Sequence, residues 1–140
     1  MDGVEKYLGI PFKDKGRDFS GCDCWGLVRL FLLGEFGIEI DSLWESYAHC
    51  RDIESIKKLV EEEKTRWMPV EGPENKGDVL DLSLSKRDFH VGVLAAPGRI
   101  LHVERGGFSR LDPETSQMIC RRVRGRWRHA ALRGRDAETR

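Results

Sequence analysis

The sequence predicts an α+β domain in which N-terminal helices pack on an antiparallel β-sheet. Ahead of Pro69, apolar residues recur at helical spacing, as in Leu27, Val28, Phe31 and Leu32. After Pro69 the pattern changes to short runs punctuated by glycine and proline, which reads as strands. Helices first and strands afterwards, without regular alternation, separates α+β from a parallel α/β sheet. A chain of 140 residues with 39% hydrophobic content is sized for one domain with its own core.

The elements follow in order. Val4 to Leu8 is a short helical piece, and Gly9 to Ser20 a polar, glycine-containing loop. The next helix begins at Cys24 and ends at Gly34 or Gly37, either of which would serve as a C-terminal stop. Asp52 is a reasonable N-cap for a second helix, with Ile53, Ile56, Leu59 and Val60 on one face. Pro69 to Gly77 is loop. Strands are expected at Val79–Leu84, Phe89–Ala95 and Ile100–Glu104, with a final edge strand over roughly Ile119–Trp127. The domain is expected to span 1–132, with 133–140 a flexible tail.

Charge narrows the partners. Lys plus Arg and Asp plus Glu both number 24, so the net charge is zero and nothing draws the whole chain to nucleic acid or anionic lipid. From Arg121 to Arg140 there are eight arginines against two acids, Asp136 and Glu138. In Val123-Arg124-Gly125-Arg126-Trp127 they alternate with apolar residues, as on the solvated face of an edge strand. No aromatic stacking platform accompanies them, so no nucleic-acid partner is expected. No apolar run approaches the ~20 residues of a membrane span. Met1-Asp2-Gly3-Val4-Glu5-Lys6 lacks the basic-then-apolar pattern of a secretory signal, so synthesis in a cytoplasm is expected.

The chemistry-bearing segment is Ser20-Gly21-Cys22-Asp23-Cys24-Trp25-Gly26-Leu27-Val28. It puts the Cys24 thiol in the first turn of a helix, where free amides and the positive end of the dipole favour thiolate. Asp23 reads as the cap; its charge would oppose the thiolate unless the carboxylate turns to backbone amides. His90 and His102 lie downstream on adjacent strands. A thiol at a helix start with two imidazoles downstream is what nucleophilic acyl transfer requires. Cys24 would be the nucleophile, His90 the base, and His102 the group that fixes the His90 tautomer. Cys22 would pack rather than react. Reduced thiols are expected, with a Cys50–Cys120 bridge as the alternative. Cys22, Cys24, His49, Cys50, His90 and His102 are possible zinc ligands by type. Cys-x-Cys is not a paired knuckle, however, so neither metal nor cofactor is expected. His49 and His129 read as surface or packing residues, and Trp25, Trp44 and Trp67 as core or cleft wall.

The histidine pair sets a geometric condition on the turn at Pro97-Gly98. A two-residue turn without a bulge pairs His102 with Val93 and points it away from His90. An odd-length loop, such as Ala96–Gly98 or Pro97–Arg99, or a bulge restores a common face, and one of these is expected. With a loop over Ala96–Gly98, His102 lies opposite Gly92, whose missing side chain leaves room for the rings to meet diagonally.

Several pieces together resemble the NlpC-type family of cell-wall cysteine peptidases. They are Tyr7-Leu8-Gly9-Ile10-Pro11-Phe12, Gly21-Cys22-Asp23-Cys24-Trp25-Gly26-Leu27-Val28, Gly77-Asp78-Val79-Leu80, His90-Val91-Gly92-Val93 and Arg99-Ile100-Leu101-His102. The resemblance implies a papain-like fold and hydrolysis of peptidoglycan stem peptides, commonly between D-glutamate and a diamino acid, without metal or cofactor. It carries Cys24, His90 and His102 over as nucleophile, base and orienting residue. Two positions depart from the family: Phe12 stands where a tyrosine is usual, and Trp25 where serine is common after the cysteine. The Cys-Asp-Cys-Trp-Gly form is similar to stand-alone domains of phage tail and gene-transfer modules, implying a tail-associated enzyme acting at the cell wall, with phage tail proteins as partners. Two other functions stay open: a tail assembly module with weak or no catalysis, and an amidase or acyl transferase on another substrate.

Overall fold

The structure, a computed structural model, describes residues 3–40, 62, 66–83 and 90–132. The expected Asp52 helix, Trp44, His49, Cys50 and the tail 133–140 lie outside the described residues. A single 3-10 turn, Val4–Tyr7, opens the chain. The strands β1 (Arg17–Asp18) and β2 (Gly21–Cys22) form a small antiparallel ribbon leading into helix α1, Cys24–Phe36. Asp23 caps α1 through its side chain, which accepts from the Gly26 amide. Gly37, not Gly34, ends it: its φ of 68° is the left-handed conformation, and its N–H closes on the carbonyls of Leu32 and Leu33. Gly34 has a different job. A Cβ there would collide with the Tyr7 hydroxyl, so the missing side chain seats the buried Tyr7 against the helix.

The main sheet has six strands: β3 (Trp67–Pro69), β4 (Val79–Asp81), β5 (Val91–Ala96), β6 (Arg99–His102), β7 (Arg110–Pro113) and β8 (Gly125–His129). Their spatial order is β3-β8-β4-β5-β6-β7, and every neighbouring pair is antiparallel. Helix α1 lies on one face, chiefly against β5. There Leu27, Val28, Phe31 and Leu32 meet Val91, Val93, Leu101 and Val103, all buried. Each such side chain contributes about 1.5–3 kcal/mol by leaving water. Leu80, Leu82, Leu94, Ile100 and Ile119 form a second cluster. The papain-like arrangement of helix on antiparallel sheet is thus present.

Two expectations about the last strand are corrected. The segment expected to start it at Ile119 is a short helix, Gln117–Cys120, because Ser116 caps the Ile119 amide and turns the chain. The strand that follows is interior, between β3 and β4, not an edge. Its arginines are pins rather than a solvated face. Arg128 Nε donates to the fully buried Asp78 at 2.8 Å, and Arg126 pairs with Glu114. Arg124 reaches the Ser83 carbonyl.

Candidate active site

The β5–β6 hairpin decides whether the histidines meet. Its turn has two residues, since Ala96 pairs with Arg99, but the register shifts between Leu94 and Ala96. That bulge restores the pairs Leu94–Ile100 and Val93–Leu101, a register that continues to Gly92 opposite His102. A Cβ on Gly92 would lie 2.7 Å from Ile100 Cγ2, so only glycine fits between the strands here.

His90 Nε2 and His102 Nδ1 are 3.0 Å apart, both rings buried. The His90 backbone is held on both sides: its N–H donates to Ser83 Oγ at 3.1 Å, and its carbonyl accepts from the Leu82 amide at 2.7 Å. Beyond the pair, His102 Nε2 lies 2.7 Å from Asp112 Oδ2 on β7, and Arg110 Nε donates to the same oxygen at 2.8 Å. Glu104 Oε1 is 3.8 Å from His90 Nε2 and accepts from Arg122 Nη1 at 2.6 Å. Burial depresses the His102 pKa, only partly offset by the hydrogen bond to Asp112, so the ring rests neutral. Burial would raise the Asp112 pKa, but His102 and Arg110 together outweigh it and hold the carboxylate ionised.

Cys24 sits where the sequence puts it, in the first turn of α1, with 9% of its surface exposed. The backbone N–H groups of Val91 and Trp25 act on its sulfur and favour the thiolate. Val91 directly follows His90, so the thiol and the histidine pair share one stretch of backbone. Burial and the charge of Asp23 nevertheless prevail, and the resting group is a thiol with a raised pKa. Asp23 does turn to amides as its role as a cap requires. It accepts from Gly26 N at 2.8 Å, Lys15 N at 3.2 Å and Arg17 Nη1 at 2.8 Å. Cys22 is fully buried, and burial, then Asp23, pushes its thiol up to about 12, as suits a packing residue.

Sequence reasoning missed Asp112, Arg110, Glu104 and Arg122. Asp112 could have been found from the pairing alone: His102 faces Arg110 across β6 and β7, which puts Asp112 on the same face two residues along. The hidden step was β7 itself, because Arg110-Leu111-Asp112-Pro113 carries little strand signal.

His90, His102 and Glu104 bring three potential ligand atoms within 4.8 Å of one another. A cation there would have to displace the ring-to-ring hydrogen bond and the Arg122 guanidinium, which already occupies Glu104 Oε1. The donor set is therefore committed to hydrogen bonds. His129 packs edge-on against Trp67 with ring centroids 5.0 Å apart, and Trp25 is buried in the core. Cys22 and Cys24 are buried free thiols, and Cys120 is an exposed one.

A family model described as NlpC/P60 matches residues 9–128. The chain belongs to the NlpC/P60 family. Two solved structures share the fold. One is a lipoprotein-like NLP/P60 family protein from Staphylococcus aureus subsp. aureus Mu50, with a TM-score of 0.60 and 18% identity. The match covers 92% of this chain but only 39% of the staphylococcal one. The other is the NlpC/p60 domain of the peptidoglycan hydrolase SagA, with a TM-score of 0.53 and 22% identity, covering 79% of this chain and 82% of that domain. No curated protein matches the chain. Among the described residues no helix is long and apolar enough to cross a membrane.

Proposed function

We propose that the chain is a cysteine endopeptidase that hydrolyses peptide bonds in bacterial peptidoglycan stem peptides, at the bond between D-glutamate and a diamino acid. The observation that carries this reading is the buried His90–His102 pair, set at 3.0 Å beside the strand whose Val91 amide acts on the Cys24 sulfur. Membership of the NlpC/P60 family and likeness in fold to a domain of a peptidoglycan hydrolase support the substrate class.

In this mechanism Cys24 Sγ transfers its proton to His90 as the sulfur attacks the scissile carbonyl carbon. The high resting pKa of the thiol makes concerted transfer, rather than a stored thiolate, the economical route. Amides at the α1 N-terminus would hold the oxyanion. His90 returns the proton to the amine, the C–N bond breaks, and a thioester remains on Cys24. Water then attacks the thioester and gives a proton to His90; as the C–S bond breaks, His90 returns that proton to the Cys24 sulfur, releasing the acid and regenerating the thiol. No metal or cofactor enters.

Incubating wild type, Cys24→Ala and His90→Ala with defined muropeptides, and reading the products by mass spectrometry, tests the proposal. The expected result is cleavage inside the stem peptide by wild type, and its loss in both folded variants. Cleavage that survives Cys24→Ala refutes the mechanism. A folded wild type that cleaves no peptidoglycan type points instead to a phage tail assembly module. That reading is favoured by Phe12, which leaves the usual tyrosine hydroxyl missing, and Tyr7 does not replace it because its hydroxyl is spent on Glu35 at 2.9 Å. Products cut outside the stem peptide would indicate an amidase or acyl transferase. The Cys22-Asp23-Cys24-Trp25-Gly26 form supports action in a phage tail or gene-transfer particle at the cell wall.

A further inference from the structure

We infer that Asp112 is a positioning residue which, through His102, sets the tautomer of His90 and so decides which of its ring nitrogens carries no hydrogen and can act as base. The inference deepens the proposed peptidase reading and rests on it for its link to catalysis, though not for its geometry.

The protons are fixed in turn along a line of atoms. Asp112 Oδ2 lies 2.7 Å from His102 Nε2 and also accepts from Arg110 Nε at 2.8 Å. An ionised carboxylate only accepts, so His102 Nε2 must carry its hydrogen. A neutral imidazole has one N–H, so His102 Nδ1 is bare and is an acceptor. His90 Nε2, 3.0 Å from it, must then be the donor. In a neutral His90 that leaves Nδ1 as the nitrogen without a hydrogen, the one able to take the Cys24 proton. Each assignment forces the next.

Removing the carboxylate breaks the chain at its first link. His102 would then be free to place its hydrogen on Nδ1, setting two N–H groups against each other across 3.0 Å. The pair escapes only if His90 moves its own hydrogen to Nδ1, which silences the base, or if the rings separate. Among the described residues, the charged groups around His102 and His90 are Asp112 and Arg110 on β7, Glu104 beyond β6, and Arg122 after the short helix. Of these, only Asp112 is within hydrogen-bond distance of a His102 ring nitrogen not already taken by His90. When His90 becomes imidazolium, its Nε2–H still donates to His102, and the Asp112 charge stabilises the cation through that ring without taking a proton.

The test uses Asp112→Ala and Asp112→Asn. At 28% side-chain exposure on an outer strand, Asp112 should tolerate both changes. Ring ¹⁵N shifts of His90 and His102 read the tautomers directly, with or without substrate. In wild type both rings should carry hydrogen on Nε2. Asp112→Ala should mix the tautomers and lower kcat at least about tenfold with KM held. Asp112→Asn keeps an acceptor oxygen, so it should preserve both tautomers, recover part of kcat, and move the acid limb of the rate profile to lower pH. Hydrogen on His102 Nδ1 in wild type, or rings unchanged in Asp112→Ala, overturns the inference. Tautomers as stated in a wild type that cleaves nothing would instead refute the peptidase reading and leave the relay standing.

Discussion

Asp23 is asked to do two opposed things, and separating them is a sharp check on how α1 presents its thiol. Its carboxylate caps the helix and holds Arg17, yet its charge resists ionisation of the adjacent Cys24. In Asp23→Ala the cap is lost, at about 1 kcal/mol. The Arg17 guanidinium, 12% exposed, also loses its carboxylate. Breaking a buried pair from one side costs about 3–5 kcal/mol. Arg17 Nη1 keeps the Gly16 carbonyl at 2.8 Å, which argues for the low end. The two losses share one site and do not simply add, so about 3–4 kcal/mol is expected. Asp23→Asn keeps an oxygen for the Gly26 amide and loses only the charge, at about 1–2 kcal/mol. Urea denaturation would read both, and in thermal scans each kcal/mol should lower Tm by about 3–4 °C.

The thiol should respond in the opposite sense. Asp23→Asn removes an anion beside Cys24, which lowers the thiol pKa, and leaves in place the Arg17 cation that already lowers it. Each unit of decrease multiplies the thiolate about tenfold while reducing its intrinsic nucleophilicity about threefold, for a net gain of about threefold. Alkylation of Cys24 by iodoacetamide, with Cys24→Ala as the blank and Cys120→Ser to silence the exposed thiol, measures this. A less stable protein with a faster thiol is the expected outcome. If Asp23→Asn alkylates no faster than wild type from neutral to alkaline pH, Asp23 does not govern the thiol. If Asp23→Ala loses less than about 1 kcal/mol, the cap and ion-pair argument is wrong.

Two further predictions use the same contacts. Gly92→Ala sets a methyl against Ile100 and the Leu101 carbonyl, and should cost about 1–3 kcal/mol while weakening the His90–His102 contact, visible as lost stability and altered ring NMR signals. Stability should fall as pH drops below about 6.5, because His102 has a depressed pKa and the unfolded chain takes up that proton first. A further loss follows at lower pH, as the ion-paired Asp112 and Glu104 are protonated below their ordinary values of 3.8 and 4.5. Denaturation at a series of pH values checks the sign, and His102→Asn should remove the first step and weaken the Asp112 part of the second, because His102 helps to hold that carboxylate ionised.

How much of this was legible depends on the range of the interaction that fixes each feature. Helix α1 was readable because its cap, apolar stripe and stop are all local: Asp23, the Leu27-to-Leu32 stripe and Gly37 lie within one short segment. The choice between Gly34 and Gly37 was not, since it turns on Tyr7 packing from far along the chain. The hairpin condition was readable because side-chain alternation is strict in a strand. Only two outcomes were possible, and a bulge is what allowed a two-residue turn to satisfy the histidines. The final strand was misplaced because alternating arginine looks like solvent exposure unless the acids that pair with it are known. Asp78 and Glu114 come from different parts of the sheet.

The candidate site divides along the same line, and the division bears on its chemistry. Cys24, His90 and His102 announce themselves by residue type, but the state in which each group rests is set by residues that do not. Position at a helix start argues for a thiolate, while burial and Asp23 leave a thiol. Two neighbouring histidines by themselves leave four tautomer combinations open, and Asp112 with Arg110 reduces them to one. On the proposed reading, a neutral thiol and a histidine base whose hydrogen is fixed in advance form a reacting pair that stores no thiolate before substrate arrives. Reactivity then appears only when a carbonyl is in place to receive the sulfur as the proton leaves. If the proposed peptidase reading holds, the second line of residues, rather than the cysteine, keeps the thiol inert until substrate is bound.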